Sequence, residues 1–247
     1  MSAEEVIASV KNPAVVAAAK LHRARHRRAE GKALIEGPAT LADAILAGHQ
    51  VHEVFGLDHT ARSMALEAGS VFRQVTDQVL QRVAGTETPR GPVAVIDIPQ
   101  PMIPADRRLL VAWGVSDPGN CGTLLRTAAA FGYGYVAGPE SADSWSSKVL
   151  RSAAGGHFRT SVGRIEVVAD LGRREIVGTV PSGGQAAGGL SAHAAIVVGS
   201  EAHGLPPEVL ERCDRLVSIP MPGGSESLNA AVAGAIVAYL GTIGTED

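Results

Sequence analysis

Three short segments beyond residue 116 carry side chains that could bind a ligand and act on it. The first is Asp117-Pro-Gly-Asn120-Cys-Gly122 with Arg126, the second is Gly199-Ser-Glu201-Ala-His-Gly204, and the third is Ile219-Pro-Met-Pro-Gly-Gly-Ser-Glu-Ser227-Leu228-Asn229. Each segment lies where a strand pattern gives way to a turn or helix pattern. Because open α/β sheets bind ligands at the carboxyl ends of their strands, the three segments predict one shared site.

The first segment offers an amide and a guanidinium group. Pro118 and Gly119 force a tight turn, so Asn120 either only caps the following helix or also takes part in the site. Arg126 lies almost two turns further along a helix with apolar neighbours, which predicts a buried or half-buried guanidinium. Such a group needs an anionic partner. Arg126 is therefore either an active-site cation or a member of an internal ion pair.

The second and third segments add a carboxylate and hydroxyl groups. Glu201 follows an apolar strand, and the glycines beside it are expected to let the backbone approach a ligand closely. Glu201 either points into the crevice or caps the turn before the Leu205-Pro-Pro-Glu208 segment. In the third segment, Ser225 or Ser227 is expected to cap an apolar C-terminal helix, which is predicted to be buried.

A dinucleotide site is an alternative, because glycine pairs such as Gly132-Tyr-Gly134 are present. The Gly-x-Gly-x-x-Gly motif must follow a strand and open a helix. Gly132 and Gly134 instead lie between a predicted helix and a predicted strand. Their position excludes this interpretation.

The elements that must position the three segments alternate along the chain. Apolar strand patterns cover Arg108 to Val115, Tyr133 to Ala137, Ile176 to Val180, Ala195 to Gly199 and Arg215 to Ile219. Helix patterns cover Thr123 to Phe131, Ser146 to Ala154 and Leu228 to Leu240. This alternation predicts an α/β fold with a mainly parallel sheet covered by helices on both faces.

A smaller α/β module is predicted before these elements. Its patterns are a helix at Ala14 to Arg28, a strand at Ala33 to Glu36, a helix at Thr40 to Ala47 and a strand at Val51 to Gly56. A proline-interrupted stretch, Pro99 to Asp106, then separates two domains, residues 1–98 and 107–247. Within the second domain, the glycine-rich stretch Ser182 to Gly189 predicts a mobile loop.

Composition narrows the class of protein. Lys and Arg number 22 against 25 Asp and Glu, so a nucleic-acid partner must be met by a local basic patch. Cys121 and Cys213 lack metal-binding spacing, which argues against structural zinc and favours a reducing compartment. Residues 1–13 have no apolar signal segment, and no apolar run approaches the ~20 residues needed to span a bilayer. We therefore expect a soluble cytoplasmic protein without a metal or a membrane partner.

The three segments resemble, in order, the three motifs of SpoU/TrmH-type RNA ribose methyltransferases of the SPOUT superfamily. The matching features are the spacing from Asn120 to Arg126, Gly-x-Glu-x-x-Gly at 199–204, and Ile-Pro-Met followed by Ser-Leu-Asn at 227–229. Three further segments are similar to the substrate-binding module of ribosomal-RNA members, including the thiostrepton-resistance type: Ser9-Val-Lys-Asn-Pro13, Leu34-Ile-Glu-Gly37 and Thr88-Pro-Arg-Gly-Pro-Val-Ala94. The resemblance covers nearly the whole chain.

Two features depart from the family pattern. Ser147 stands where relatives often have proline, and the stretch from Val167 to Glu175 is short for the helix that precedes the next strand. The second departure concerns the local architecture and leaves the chemistry unaffected.

The resemblance implies a C-terminal α/β domain tied into a deep trefoil knot, a small L30e-like N-terminal α/β domain that binds the substrate, and a homodimer formed through the C-terminal domain. By matched position, contacts to S-adenosylmethionine are expected from Thr179, Val180, Gly199, Ile219, Met221 and Leu228. Catalysis and substrate handling are expected from Asn120, Arg126, Glu201, Ser227 and Asn229. Arg151 and Ser152 are expected to lie close by and contact RNA.

The implied reaction needs no metal, because a sulfonium methyl donor is already charged and its leaving group is neutral. The protein must align the attacking ribose hydroxyl and help remove its proton. A guanidinium does not normally deprotonate in proteins. Arg126 is therefore predicted to clamp the neighbouring phosphate and stabilise the developing alkoxide, and the general base stays unassigned.

A basic stretch follows the first helix pattern. It contains Arg23, Arg25, Arg27 and Arg28, with Lys20, Lys32, His22 and His26. Such a stretch is either an RNA-docking surface or a solvated helix face. Beside the three motifs, RNA docking is the favoured interpretation.

The leading hypothesis is an S-adenosylmethionine-dependent methyltransferase acting on a ribose 2′-hydroxyl of RNA, with 23S ribosomal RNA as the expected substrate. A tRNA 2′-O-methyltransferase is the alternative among enzymes. From another class, the alternative is a catalytically silent RNA-binding protein of the same fold. The presence of Asn120, Arg126, Glu201 and Asn229 argues against the silent alternative.

Overall fold

The chain divides into two compact units in a computed structural model that describes residues 6–243. The first unit comprises Met1–Gln100 with Trp145–Arg151, and the second comprises Pro101–Ser144 with Ser152–Asp247. Within residues 6–243, every helix is too short or too polar to cross a lipid bilayer.

The first unit is a four-stranded mixed sheet with helices packed against it. Its elements are α1 (Pro13–Lys20), α2 (Ala24–Glu30), β1 (Lys32–Glu36), α3 (Pro38–Leu46), β2 (Val51–Gly56), α4 (His59–Glu67), β3 (Val71–Gln74), α5 (Asp77–Ala84) and β4 (Val93–Asp97). The strand order is β1-β4-β2-β3. Strand β4 is antiparallel to both neighbours, whereas β2 and β3 are parallel.

The sequence patterns locate part of this unit correctly. Strands β1 and β2 and helix α3 are confirmed, but the single helix predicted at Ala14 to Arg28 is wrong, because the chain forms two helices separated at Leu21–Arg23. Helices α4 and α5 and strands β3 and β4 were not predicted. Helix α4 buries only Ala61 and Ala65, so it lacks the apolar periodicity on which such a prediction depends.

The second unit contains a six-stranded sheet in which every strand pairing is parallel. Its elements are β5 (Leu109–Ala112), α6 (Pro118–Phe131), β6 (Gly134–Ala137), α7 (Ser147–Ala153), β7 (Val162–Arg164), β8 (Ile176–Thr179), β9 (Ala195–Val198), α8 (Pro207–Leu210), β10 (Arg215–Val217) and α9 (Ala230–Ile243). The first five residues of α7 group with the first unit. The strand order is β10-β8-β9-β5-β6-β7.

The predicted parallel sheet is confirmed, and five of its strands lie where the apolar runs indicated. Strands β5, β6 and β9 are buried along their whole length, as expected for a sheet covered on both faces. The three-residue strand β7 was not predicted. The short stretch after Val167 forms only a 3₁₀ helix, Val168–Leu171, which fits its departure from the family pattern.

Helix α9 differs from its prediction. One face is buried through Ala230, Ala231, Gly234, Val237, Ala238 and Gly241. The opposite face is apolar but open to solvent, with Val232 47%, Tyr239 50% and Ile243 50% exposed. A helix that is apolar all round was expected to be buried all round, so this prediction is wrong for the single chain.

Candidate functional site

A cleft of about 750 Å³ opens at the carboxyl ends of strands β8, β9 and β10 and along the first turns of α9. These three strands are neighbours in one parallel sheet, so their carboxyl ends share an edge. All six residues predicted to contact the cofactor line the cleft, namely Thr179, Val180, Gly199, Ile219, Met221 and Leu228. Glu201, Ser227 and Asn229 line it as well. Two of the three sequence segments therefore meet in one cavity.

The turn after β9 closes tightly on itself. The backbones of Ser200 and Gly204 exchange two hydrogen bonds of 3.1 and 2.9 Å, and Gly204 has a φ of +67°. A Cβ atom on Gly199 would lie 2.3 Å from the carbonyl carbon of Gly204. Gly199 was expected to let the backbone approach a ligand closely. The structure gives another reason for the glycine: the backbone of Gly204 occupies the space that a side chain would need. Glu201 lies exposed in this turn.

The opposite wall of the cleft is held by backbone hydrogen bonds between β10 and the glycine-rich stretch after β8. Gln185 donates from its backbone to Leu216 at 2.8 Å and accepts from the backbone of Ser218 at 3.0 Å. A Cβ atom on Gly184 would lie 2.6 Å from the carbonyl carbon of Val217. The prediction of a mobile loop is therefore wrong at residues 184 and 185, where the chain is anchored against a strand.

A chain of side-chain hydrogen bonds joins all three sequence segments. Asn120 donates from Nδ2 to Glu201 Oε1 at 2.5 Å, and Asn229 donates from Nδ2 to Asn120 Oδ1 at 3.0 Å. Asn229 Oδ1 in turn accepts from the backbone of Ala231 and Val232 at 2.9 and 3.2 Å. The structure therefore brings these three predicted side chains together in one hydrogen-bonded group.

The simpler structural roles considered for these residues do not hold. The N-cap of α6 is Asp117, which accepts from the backbone of Asn120 at 2.8 Å, so Asn120 is not the cap. Asn229 rather than Ser225 or Ser227 caps α9 with its side chain. Glu201 does not cap α8, whose N-cap is Pro206. Asn120 and Glu201 therefore have their main side-chain contacts with each other.

Arg126 lies outside this group. It is exposed, on the solvent-facing stripe of α6 that also includes Thr123 and Ala130, and it does not line the cleft. It lies six positions after Asn120, which places it about 9 Å along and about 120° around the helix axis. The prediction of a buried or half-buried guanidinium is wrong, because only one side of α6 carries the apolar contacts. Among residues 6–243 Arg126 forms no ion pair, which removes the internal ion-pair alternative.

The cleft wall has an acidic character. Among the described residues that line it, Glu201 and Glu226 carry carboxylates, His203 carries an imidazole, and none is lysine or arginine. Glu226 was not singled out from the sequence, although its place between Ser225 and Ser227 in the third segment could have indicated it. The remaining wall is largely apolar, with Val180, Ile219, Met221 and Leu228 among its members.

Neither cysteine lies in surroundings that favour its thiolate form. Cys121, beside Asn120, donates from Sγ to the carbonyl of Val115 at 3.0 Å, and its pKa is raised mainly by burial. Burial, with the nearby charge of Asp214, raises the pKa of Cys213 to about 11. Both thiols therefore stay protonated near neutral pH, and only the thiolate form is reactive.

The basic stretch of the first unit is divided by burial. Arg23, Arg25 and Arg28 are exposed, but Arg27 is only 4% exposed. Arg27 Nη1 donates to the carbonyls of Leu21 and His22 at 2.8 and 2.9 Å, where α1 gives way to α2. The prediction that Arg27 contacts RNA is therefore wrong. Its side chain instead stabilises the turn between α1 and α2.

Arg151 and Ser152 also have partners within the chain. Arg151 Nη1 lies 3.5 Å from Glu36 Oε2, and the Glu36 side chain is only 10% exposed. The other oxygen of Glu36 accepts from the backbone of Arg90 at 2.6 Å. Ser152 Oγ donates to the carbonyl of Gly119 in the first turn of α6 at 2.9 Å. An RNA contact by either residue remains a prediction.

The fold and the cleft define a class of protein, namely α/β proteins with a six-stranded parallel sheet and a cleft at the carboxyl ends of three adjacent strands. Residues 107–239 match the model of the SpoU rRNA Methylase family, and residues 12–94 match the MRM3-like substrate binding domain. The chain belongs to the SpoU rRNA Methylase family.

Individual relatives resemble the chain over nearly its full length. The 23S rRNA (guanosine(2553)-2′-O)-methyltransferase RlmP of Bacillus subtilis is 34% identical, over 94% of this chain and 97% of that protein. A solved structure of an RNA 2′-O ribose methyltransferase is 28% identical with a TM-score of 0.79, over 95% of this chain and 97% of that one. The AdoMet-bound rRNA methyltransferase from Sinorhizobium meliloti shares the fold, with a TM-score of 0.84 at 24% identity over 95% and 96% of the two chains.

Proposed function

We propose that the protein transfers a methyl group from S-adenosylmethionine to a ribose 2′-hydroxyl of RNA, with 23S ribosomal RNA as the substrate. The observation that carries this proposal is the hydrogen-bonded group of Asn120, Glu201 and Asn229 at one end of the acidic, partly apolar cleft. It joins all three motifs in a member of the SpoU rRNA Methylase family.

The cleft lining fits the proposed cofactor. Val180, Ile219, Met221 and Leu228 supply the apolar surface that an adenine ring requires. Glu201 and Glu226 favour a positively charged ligand. When bound, the cofactor supplies an electrophilic methyl group on a positively charged sulfur. Thr179 and Gly199, at the ends of β8 and β9, complete the proposed binding set.

Arg126 is proposed to act on the substrate. Its guanidinium is exposed and makes no ion pair among residues 6–243, so it is free to bind the phosphate next to the target ribose. A cation there also stabilises negative charge that develops on the attacking oxygen. Ser227, exposed on the cleft rim, is proposed to contact the same ribose.

The first unit is proposed to dock RNA through Arg23, Arg25 and Arg28, with Lys20 beside them. All four side chains are exposed, and such cations bind phosphates with release of counterions. The match to a substrate-binding domain over residues 12–94 supports this role. The similarity to a 23S rRNA methyltransferase over nearly the whole chain favours ribosomal RNA over tRNA. A cytoplasmic location is proposed together with this substrate.

A homodimer formed through the second unit is also proposed. The open face of α9 presents Val232, Tyr239 and Ile243, and Phe131 packs against Tyr239 with ring centroids 5.9 Å apart. An apolar face of this kind marks an association surface. We further propose the trefoil knot, which is supported by the close passage of Gly184 and Gln185 against β10.

Incubation with methyl-labelled S-adenosylmethionine tests the proposal. Wild-type protein should label 23S ribosomal RNA from a strain that lacks the gene, and mapping of 2′-O-methyl groups should find one new position. Labelling of tRNA alone would favour the tRNA alternative. Binding of RNA without any transfer would contradict the proposed activity and favour the silent RNA-binding protein.

A further inference from the structure

Both polar atoms of the Asn120 side chain have a protein partner. Its Nδ2 donates to Glu201 and its Oδ1 accepts from Asn229, while its backbone N–H donates to Asp117. Each atom keeps one further hydrogen-bonding position, but the two protein partners fix the orientation of the amide. Asn120 is therefore suited to orienting another group.

The direction of the hydrogen-bond chain is set at the N-terminus of α9. The Asn229 oxygen accepts from two backbone N–H groups, so its Nδ2 must be the atom that faces Asn120. Asn120 must then present Oδ1 to Asn229 and Nδ2 to Glu201. The capped helix end thus determines which atom reaches the carboxylate.

Glu201 is the last acceptor in this series of hydrogen bonds. Its Oε1 accepts the 2.5 Å hydrogen bond, and among residues 6–243 no hydrogen bond is made by its Oε2. The residue lines the cleft proposed for the methyl donor. A carboxylate that is held through one oxygen and open at the other can accept a proton from a bound hydroxyl.

Other groups near the cleft are less suited to that task. Arg126 stays protonated and cannot serve as a base. Glu226 and His203 also line the cleft, but among the described residues no hydrogen bond holds either side chain in place. A general base must be positioned before its proton affinity matters. Glu201 alone among these cleft carboxylates and imidazoles meets that requirement.

We propose that Glu201 accepts the ribose 2′-hydroxyl proton, and that Asn120 and Asn229 are positioning residues that act through it. This inference rests on the proposed methyltransferase function. In the step, the bond between O2′ and the methyl carbon forms as the carbon–sulfur bond of the donor breaks. The proton passes from O2′ to Glu201 Oε2, and the electron pair of the broken bond stays on the neutral thioether.

Glu201→Gln tests the proton acceptor. The glutamine oxygen can still accept from Asn120, so the fold and the melting temperature should stay unchanged. Calorimetry measures any loss of affinity for S-adenosylmethionine, and the rate is compared at a saturating cofactor concentration. The single-turnover rate should fall by ~100-fold or more, as for loss of a general base. A Glu201→Gln enzyme with a near-normal rate would overturn the proposal.

Glu201→Ala with added formate or acetate separates a lost base from a lost contact. A small carboxylate can enter the open cleft and should restore part of the single-turnover rate, whereas Glu201→Gln should not respond. Absence of rescue in a folded variant that binds the cofactor contradicts the proposal. Inactive wild-type protein would instead contradict the proposed function, so the two failures can be told apart.

Two variants at Asn229 test the positioning role. Aspartate is as good an N-cap as asparagine, so Asn229→Asp should keep the melting temperature, whereas Asn229→Ala should lower it. Aspartate cannot donate to Asn120, so Asn120 should turn its amide and present oxygen to Glu201. We expect slow methyl transfer in Asn229→Asp, and a crystal structure of this variant should show the Glu201 carboxylate displaced.

A double-mutant cycle completes the test. If Asn229 acts through Glu201, adding Asn229→Asp to Glu201→Gln should cause no further loss of rate. Independent, multiplicative losses would contradict the positioning role. A purely structural cap predicts that Asn229→Asp transfers methyl groups at the wild-type rate, which would contradict it as well.

Discussion

At the level of single side chains, burial and hydrogen bonding separate residues that look alike in the sequence. Arg126 and Arg27 were both candidates for RNA contact, yet the first is exposed without an ion pair among residues 6–243 and the second is buried with two carbonyl partners. Substitution of Arg126 should therefore lower methyl transfer and keep the melting temperature, whereas substitution of Arg27 should lower the melting temperature. Asn120 and Asn229 likewise differ from substrate contacts, because both ends of each amide are occupied within the chain.

Arg126→Ala should keep the melting temperature and the affinity for S-adenosylmethionine. Methyl transfer should fall by ~100-fold or more, the scale of removing one donor that stabilises a transition state. Arg126→Lys should recover little, because a point charge lacks the planar fork needed for two phosphate contacts. Thr123→Ala, on the same exposed stripe of α6, is the matched control. Near-normal single-turnover methylation by Arg126→Ala would contradict the assignment.

His22 should make stability depend on pH. Its Nε2 lies 2.8 Å from the carbonyl of Val83 and its Nδ1 lies 3.1 Å from Ser147 Oγ. Burial is the main cause that lowers the pKa of His22, the hydrogen bond to Val83 opposes it, and the charges of Arg151, Arg27 and Arg82 lower it further. Protonation therefore costs the folded state more than the unfolded one.

The contribution of His22 should be complete above the unfolded pKa of about 6.5 and lost as the pH falls below it. Urea unfolding between pH 7.5 and 5 checks this sign, and His22→Gln should flatten the dependence. His203→Gln, in the exposed turn after β9, is the control that should keep it. An equal slope in wild type and His22→Gln would show that other groups cause the pH dependence.

At the level of helices and strands, each of the three segments owes its place to an element boundary. Asp117 starts α6 and so places Asn120 in its first turn, the 199–204 turn closes on Gly199, and Asn229 caps α9. These local events are set by short-range sterics and capping. They bring three distant segments together because the segments follow β5, β9 and β10, whose carboxyl ends lie at one edge of the same parallel sheet.

The exposed arginines at helix α2 can be tested separately from the buried Arg27. Replacing Arg23, Arg25 and Arg28 with alanine should weaken RNA binding and reduce its salt dependence, because phosphate contacts release counterions. Cofactor affinity and melting temperature should not change. Arg27→Ala should do the reverse and lower the melting temperature, because it leaves the carbonyls of Leu21 and His22 without their donor. Filter binding over a salt series distinguishes them, and an unchanged slope in the triple variant would indicate a solvated face.

At the level of the whole molecule, we propose that the second unit binds the cofactor and that the first unit docks RNA. Every residue that lines the cleft belongs to the second unit, whereas the exposed basic residues of α2 belong to the first. Cofactor affinity should therefore reside in residues 107–247. Calorimetry on that fragment should give near-full affinity for S-adenosylmethionine, and a folded dimeric fragment that does not bind would contradict the domain assignment.

The open face of α9 predicts the oligomeric state. Tyr239→Glu should convert the proposed dimer to a monomer, because a charge would be buried without a partner in the association surface. Sedimentation velocity measures the change, and Leu46→Glu is the control, since Leu46 is 83% exposed and lies in the first unit. A Tyr239→Glu protein that remains dimeric would place the interface elsewhere.

Local patterns determined much of this protein. Apolar runs bounded by turns located β1, β2, β5, β6, β8, β9 and β10. The family resemblance named every cleft residue used in the proposed chemistry except Glu226. Helices α4 and α5, strands β3, β4 and β7, and the break between α1 and α2 were not predicted. Helix α4 and strand β7 have weak patterns, and β7 is stabilised by its pairing with β6. Helix α5 buries Val79, Leu80, Val83 and Ala84, so its apolar pattern could have indicated it.

The burial of individual side chains and the direction of their hydrogen bonds could be determined only from the folded structure. The sequence placed Arg126 among apolar residues, but only packing shows that these lie on the other side of α6. The sequence placed Arg27 in a basic run, but the carbonyls that accept its hydrogen bonds come from the turn before its helix. Asn120, Glu201 and Asn229 were predicted to share a site, but which amide donates to the carboxylate follows from the capped end of α9. A side chain's neighbours along the sequence limit its conformation, whereas its solvation and partners depend on segments that meet only in the folded structure.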